Sequence, residues 1–239
     1  MKHAIVLAAG LGTRLGEITK TTPKCLLPIA GVPMLKSVIE RLIATGVTEI
    51  VINTHYLAEQ VEVFVSGLSY HGVKIHLSKE SQLLGTGGGI KQAVTYFSDL
   101  KDFFVYNADI HTDLDLNLLV KSQTQNDSLV SIACQSVYAP RHLIFDNSDL
   151  LIGWGNDDAG SMKIVRESSE QKKGHYLCVQ LISPKILKYF DAFQGEFSLF
   201  EPYLIASQDQ QAIRAVWYNQ ILWHDIGTPQ QLAAARVQS

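Results

Sequence analysis

Short apolar runs alternate with helix-periodic stretches through the first half of the chain, and this rhythm leaves few folds open. Ile5 to Ala9 form a continuous apolar run, the pattern of a central strand buried on both faces of a parallel sheet. "MLKSVIERLIATG" then spaces Leu35, Val38, Ile39, Leu42 and Ile43 along one helical face, and Gly46 closes it. "EIVINT" predicts a strand, "YLAEQVEVFVSG" a helix and "VKIHLSK" another strand. A glycine-rich turn precedes the predicted helix "IKQAVTYFSDL", and "FFVYNAD" reads as a buried strand ending at Asp109. "LDLNLLVKSQ" and "SLVSIACQ" add one more helix and strand. The βαβα order predicts an α/β fold: a Rossmann-like, doubly wound, mostly parallel sheet with helices on both faces. Ligands of such sheets sit at the C-terminal ends of the strands.

The second half is less regular. "RHLIFDNSDLLIGW" predicts a hairpin turning at Asp146 to Asp149, and "GHYLCVQLIS" a strand. Pro184 opens a predicted helix "PKILKYF", and "FSLFEPYLIAS" is read as helical despite Pro202. "AIRAVWY" and "QILWHD" read as strands, and Thr228 caps a final helix, "TPQQLAAARVQ". At 239 residues, with no linker or repeat, the expectation is one domain over 1–239. Its halves are a regular βα part (1–115) and a less regular part (116–239).

Composition excludes several classes. A net charge of −3 argues against a broad nucleic-acid-binding surface. No apolar run reaches the length of a membrane span, and the run after Lys2 is too short for a secretory signal. Cys25, Cys134 and Cys178 are odd in number and far apart, which suits a reducing, cytoplasmic setting better than disulfides or zinc.

The loop after the first strand asks for a phosphate. Gly10, Gly12 and Gly16 allow tight turning and close backbone approach, exposed amides bind anions, and Arg14 adds a planar cation. A P-loop would need a lysine and a Ser or Thr directly after the second glycine, and none is there. A Rossmann fingerprint would need glycine in place of Leu15 and an acidic residue where "INTHY" offers Asn53 and Thr54.

"LAAGLGTRL" followed by "TPKCLLPIAGVPML" instead resembles the signature of the sugar-1-phosphate nucleotidyltransferases, which make NDP-sugars. The resemblance continues in order through "GVTEIVINTHYLAEQV", "LGTGGGI", "NADIHTDLD" and "WHDIGTPQQL". It is strongest to the small single-domain branch of N-acetylmuramate-1-phosphate uridylyltransferases and mannose-1-phosphate guanylyltransferase-like proteins. The resemblance implies transfer of a nucleotidyl group from an NTP to a sugar 1-phosphate with Mg²⁺ and release of pyrophosphate. It places Leu7, Ala8, Ala9, Gly10, Gly12 and Thr13 around the nucleotide, Arg14 at the triphosphate and Lys24 at the α-phosphate. It further implies Asp109 and Asp225 as Mg²⁺ ligands, two carboxylates being a suitable hard-oxygen set. Asn53, Glu80, Gly85, Thr86 and Gly87 fall near base and ribose, with Glu80 a candidate acceptor from the base.

Three positions depart from the pattern. Glu17 stands where proline usually follows the loop, no Glu-Lys-Pro motif is visible in "KIVRESSEQ", and Cys178 replaces a usual small glycine. The sugar side is therefore drawn only as Asn107, Glu167, Glu196 and Ser198. By resemblance the substrates are UTP and an N-acetylmuramate-type sugar 1-phosphate, ahead of GTP with a mannose- or heptose-type one. Two other readings stay open. In a metal-dependent glycosyltransferase, Asp113 and Asp115 of "TDLD" would carry the ion and Arg14 and Lys24 would be idle. A non-catalytic sensor would have no use for Arg14, Lys24, Asp109 and Asp225 together.

Overall fold

In the computed structural model, which describes residues 2–238, the opening apolar run forms β1 (His3–Leu7) with Ala4, Ile5 and Val6 fully buried. The glycine loop follows, carrying the one-turn helix α1 (Ile18–Thr21), and a small hairpin of β2 (Pro28–Ile29) and β3 (Val32–Pro33) leads into α2 (Met34–Ala44). Next come β4 (Glu49–Thr54), α3 (Ala58–Ser66), β5 (Lys74–Lys79), α4 (Gly85–Ala93) and β6 (Phe103–Asn107). The chain continues through β7 (Ile110–Thr112), α5 (Leu116–Asn126), β8 (Val130–Gln135), β9 (Arg141–Phe145) and β10 (Leu151–Asn156). β11 (Ser161–Ile164), β12 (Lys172–Ile182), α6 (Phe200–Gln208), β13 (Ile213–Trp217), β14 (Trp223–Asp225) and α7 (Pro229–Gln238) complete it.

Ten strands make one sheet, ordered β11-β10-β9-β12-β6-β1-β4-β5, with β8 beside β12 and β13 beside β8. β6, β1, β4 and β5 run parallel, the doubly wound Rossmann-like half expected from the sequence. β12 enters antiparallel to β6 and joins the second half to it. Both faces are covered. Ile5, Val51 and Val105 pack with Ile90 of α4 and Tyr203 of α6; Val6, Ile52 and Tyr106 pack with Leu35 and Ile39 of α2 and Leu119 of α5. A third, smaller cluster joins Leu15, Leu27 and Met34 to Ile226 and Leu232, and so anchors the glycine loop to the C-terminal segment.

Several elements differ from the sequence expectation. α4 begins at Gly85, so the glycine run is helix rather than turn. A side chain there would collide: a Cβ on Gly88 would meet Leu84 Cβ at 2.9 Å, and one on Gly89 would meet Asn53 Nδ2 at 2.7 Å. "PKILKYF" forms a 3₁₀ helix over Pro184–Tyr189. β11 went unpredicted because "SMKI" is only four residues long and exposed throughout, so its Met162/Ile164 alternation is too short to stand out and marks no buried face. α6 accommodates Pro202 because it lies in the first turn, where its missing N–H has no partner to lose. Cys178 has φ +61° at an irregularity in the β12–β8 pairing, a left-handed conformation that suits the glycine usual at this position in the enzymes it resembles.

Candidate active site

Pairing of β14 with β7 is what assembles the site. Asp225 lies opposite Ile110, and the Ile226 amide donates to the Asp109 carbonyl, so two carboxylates 116 residues apart in sequence become neighbours. Lys24 sits between them. Its ammonium donates to Asp109 Oδ2 and, at 3.2 Å, to Asp225 Oδ1, and its side chain is only 11% exposed. Arg14 Nη2 stands 3.9 Å from Asp225 Oδ2 on a largely exposed side chain. Gly227 makes room for it: a Cβ there would fall 2.6 Å from Arg14 Nη2. The sequence reading missed Gly227, whose signal was its place two residues after Asp225.

Two cavities meet at this cluster. The smaller, about 210 Å³, is lined by Leu7, Ala8, Ala9, Gly10, Lys24, Asn53, Glu80, Gly85, Thr86, Asn107 and Asp109, all expected from the sequence, together with Cys25, Leu83 and Ala108. The larger, about 1120 Å³, shares Thr86 and Asn107 with it and takes in Arg14, Ser198 and Asp225. Gly12, Thr13 and Gly87 line neither. Gly12 adopts φ +67° in the loop, Thr13 begins a 3₁₀ turn, and the Gly87 amide donates to the Phe197 carbonyl. Glu167 and Glu196, expected on the sugar side with Asn107 and Ser198, are exposed and line neither cavity.

Asn53 and Glu80 form a buried brace. Asn53 Oδ1 accepts from the Ala8 amide at 2.7 Å and its Nδ2 donates to Glu80 Oε1 at 2.7 Å. Glu80 Oε2 accepts from the Leu84 amide at 3.0 Å. The chain of bonds ties the phosphate-loop end of β1 to the start of α4, across the smaller cavity.

In the larger cavity the sequence missed Arg141, Trp154, Lys163, His175 and Tyr176. Burial lowers the His175 imidazole from its ordinary range, against an opposing pull from Asp225. Burial, reinforced by Asp109 and Asp225, holds the Cys178 thiol well above its usual value, so it stays protonated at neutral pH. Burial likewise pushes the Cys25 thiol up to about 12.

Asp113 and Asp115 are occupied elsewhere. Asp113 Oδ1 accepts from the Leu222 amide at 2.8 Å, and Asp115 caps α5 by accepting from the Asn117 amide at 2.9 Å. The glycosyltransferase reading, which needs both as metal ligands, loses its donors. Asp115→Ala therefore lowers stability by about 1 kcal/mol through loss of the cap and leaves turnover unchanged, as thermal melting and steady-state rates on the purified variant will test.

Comparison with known proteins agrees with this geometry. Residues 3–142 match the nucleotidyl transferase family. The chain is 31% identical to an N-acetylmuramate alpha-1-phosphate uridylyltransferase of Neisseria meningitidis, over 98% of this chain and 96% of that one. It is 30% identical to a D-glycero-alpha-D-manno-heptose 1-phosphate guanylyltransferase of Campylobacter jejuni, over 95% and 96%. Among solved structures it resembles HddC from Yersinia pseudotuberculosis complexed with GMP-PN, with a TM-score of 0.76 and 26% identity, covering 100% of this chain and 99% of that one.

Proposed function

The chain belongs to the nucleotidyl transferase family, among the sugar-1-phosphate nucleotidyltransferases, and from that premise we propose the reaction and the roles of its residues. An NTP and a sugar 1-phosphate give an NDP-sugar and pyrophosphate. The observation that carries the reading is the convergence of Lys24, Asp109, Asp225 and Arg14 where the two cavities meet.

The second pKa of a phosphate monoester is about 6, so the attacking oxygen of the sugar 1-phosphate arrives without a proton and needs no general base. It bonds to the α-phosphorus, and the bond from that phosphorus to the oxygen bridging toward the β-phosphate breaks. Pyrophosphate leaves with the electron pair. The barrier is electrostatic, because an anion must approach a polyanion. Lys24 holds a positive charge at the junction, and Arg14 offers a second, planar one on the side of the glycine loop. Asp109 Oδ2 and Asp225 Oδ1 already converge on one cation, the Lys24 ammonium, so this pair of hard oxygens fits a divalent ion such as Mg²⁺. Such an ion supplies charge neutralisation of the phosphates. Ala8, Ala9 and Gly10 bring backbone to the smaller cavity, where the nucleotide lies, and the larger cavity takes the sugar.

We assign UTP and an N-acetylmuramate-type sugar 1-phosphate as the preferred pair, in a cytoplasmic setting. The Neisseria relative supports that choice. The Campylobacter relative favours a second pair, GTP with a heptose- or mannose-type sugar 1-phosphate. No helix of the described residues is long and apolar enough to cross a membrane. Pyrophosphate release from a matrix of UTP, GTP, CTP and dTTP against these sugar 1-phosphates tests the reading. Release with none of them overturns it, and the fastest pair identifies the base and sugar.

Glu80 acts in this scheme through the backbone that it holds. Glutamine has one acceptor oxygen in place of two, so Glu80→Gln leaves either Asn53 Nδ2 or the Leu84 amide facing an NH₂ group. The expected result is a KM for the NTP raised by roughly three- to tenfold for UTP and GTP alike, with kcat less affected. A changed UTP-to-GTP ratio of kcat/KM would show that Glu80 reads the base directly.

A further inference from the structure

The larger cavity has a feature that lies outside the Lys24 cluster. Strand register places Arg141 opposite Asn156 and Leu143 opposite Trp154 across β9 and β10, and Trp154 opposite Lys163 across β10 and β11. Residues directly opposite one another project from the same face of a sheet. Arg141, Asn156, Trp154 and Lys163 thus share one face, and all four line the larger cavity.

The charges on that face are not balanced internally. Neither the Arg141 guanidinium nor the Lys163 ammonium has an ion-pair or hydrogen-bond partner among the described residues, whereas Glu201 accepts from the Ser198 amide at 3.0 Å and Asp225 pairs with Lys24. Asp158 and Glu201 also line the cavity, and among the described residues neither forms an ion pair with Arg141 or Lys163. Polar atoms are also waiting. Asn156 Oδ1, Asn107 Oδ1, His142 Nε2 and the Tyr176 hydroxyl are buried without a hydrogen-bond partner and belong to residues lining the same cavity. Buried polar atoms are normally paired, so four orphans beside one cavity point to a hydroxyl-rich ligand or water that completes the bonding. The Trp154 ring supplies the apolar surface that a sugar's C–H face stacks against.

Resting on the reading of this cavity as the sugar site, we propose that Arg141 and Lys163 form an anion-binding corner that grips negatively charged oxygens of the sugar 1-phosphate and so selects it. Arg141 offers a planar fork for two oxygens, and Lys163 a point charge on the same face across β10. The two sources of such oxygens are a carboxylate carried by the sugar ring and the 1-phosphate itself. A neutral sugar bearing neither is excluded. The corner sits on the extension β9–β11 rather than on the parallel half, so sugar selection is separable from nucleotide binding.

The test uses the full-length protein and its Arg141→Gln and Lys163→Gln variants. Both residues are exposed, and glutamine retains length and polarity, so folding is preserved, with matching melting curves as the check. Binding of N-acetylmuramate 1-phosphate and of N-acetylglucosamine 1-phosphate is measured by calorimetry, and KM values for sugar and NTP by pyrophosphate release. Each variant is expected to weaken sugar 1-phosphate binding by about ten- to hundredfold with the KM for NTP unchanged. A loss confined to the carboxylate-bearing sugar assigns the corner to the ring carboxylate; an equal loss for both assigns it to the 1-phosphate. Unchanged binding of both sugars in both variants overturns the inference. Wild-type protein that binds these sugars without releasing pyrophosphate would instead overturn the transferase reading and leave the corner standing.

Discussion

Lys24→Ala lowers kcat by about 10² or more while the chain remains folded. Removal of one preorganised charge that faces the reacting phosphates costs on the order of 10²–10³ in rate. Lys24 is well placed for that cost, because its ammonium is mostly shielded from water and lies where both cavities open onto the carboxylate pair. The variant also leaves Asp109 and Asp225 facing each other without their shared cation. Like charges at this separation repel, so stability falls by roughly 1–3 kcal/mol, less than for a fully buried pair because both carboxylates keep access to solvent. Lys24→Arg keeps the charge but replaces a compact ammonium with a longer planar group, and is expected to recover stability more than rate. Steady-state pyrophosphate release and thermal melting read the two effects separately. A Lys24→Ala enzyme with more than a tenth of the wild-type kcat would remove Lys24 from the reaction.

The parallel half was legible because its strands are buried on both faces. Such strands must be apolar end to end, and glycines or polar residues punctuate them, so "AIVLAAG" and "EIVINT" announce themselves. The pattern gives way where strands are exposed or short. β11 carries no buried residue, and β7 and β14 have three residues each, too few for a period to show. The start of α4 was misplaced for a different reason. Glycine ordinarily disfavours helix, but here the Phe197 ring, the Gly195 carbonyl and the Asn53 amide come so close that only glycine fits. Tertiary contact overrides local propensity.

The same division holds in the site. Lys24, Arg14 and the glycine loop belong to one continuous stretch, and a motif with fixed internal spacing can be read off it. Their junction with Asp109 and Asp225 depends on the β7–β14 pairing, which no local spacing encodes. The lining of the larger cavity is more remote still. Arg141, Trp154 and Lys163 come from three strands, and only their register puts them on one face. Glu167 and Glu196 were drawn from the neighbourhood of the second-half strands and helices, but proximity in sequence says nothing about the face on which a side chain emerges.

Asp109→Asn and Asp225→Asn should each lower kcat by about 10² or more, and EDTA should stop pyrophosphate release until Mg²⁺ is restored. Asparagine preserves the size of the carboxylate and one acceptor oxygen, so Lys24 keeps a hydrogen-bond partner and the fold is retained. What is lost is a full negative charge at the point where the two carboxylates converge. Because both residues act on the same cation, their effects are coupled, and the double variant should lose less than the product of the single losses. The Mg²⁺ dependence separates two roles that the geometry allows. If the carboxylates hold the ion, each variant needs a higher Mg²⁺ concentration for half-maximal rate. If they only steady Lys24, kcat falls and the Mg²⁺ requirement stays where it was. Full activity in EDTA would exclude the metal from the reaction and leave Asp109 and Asp225 as supports for the lysine alone.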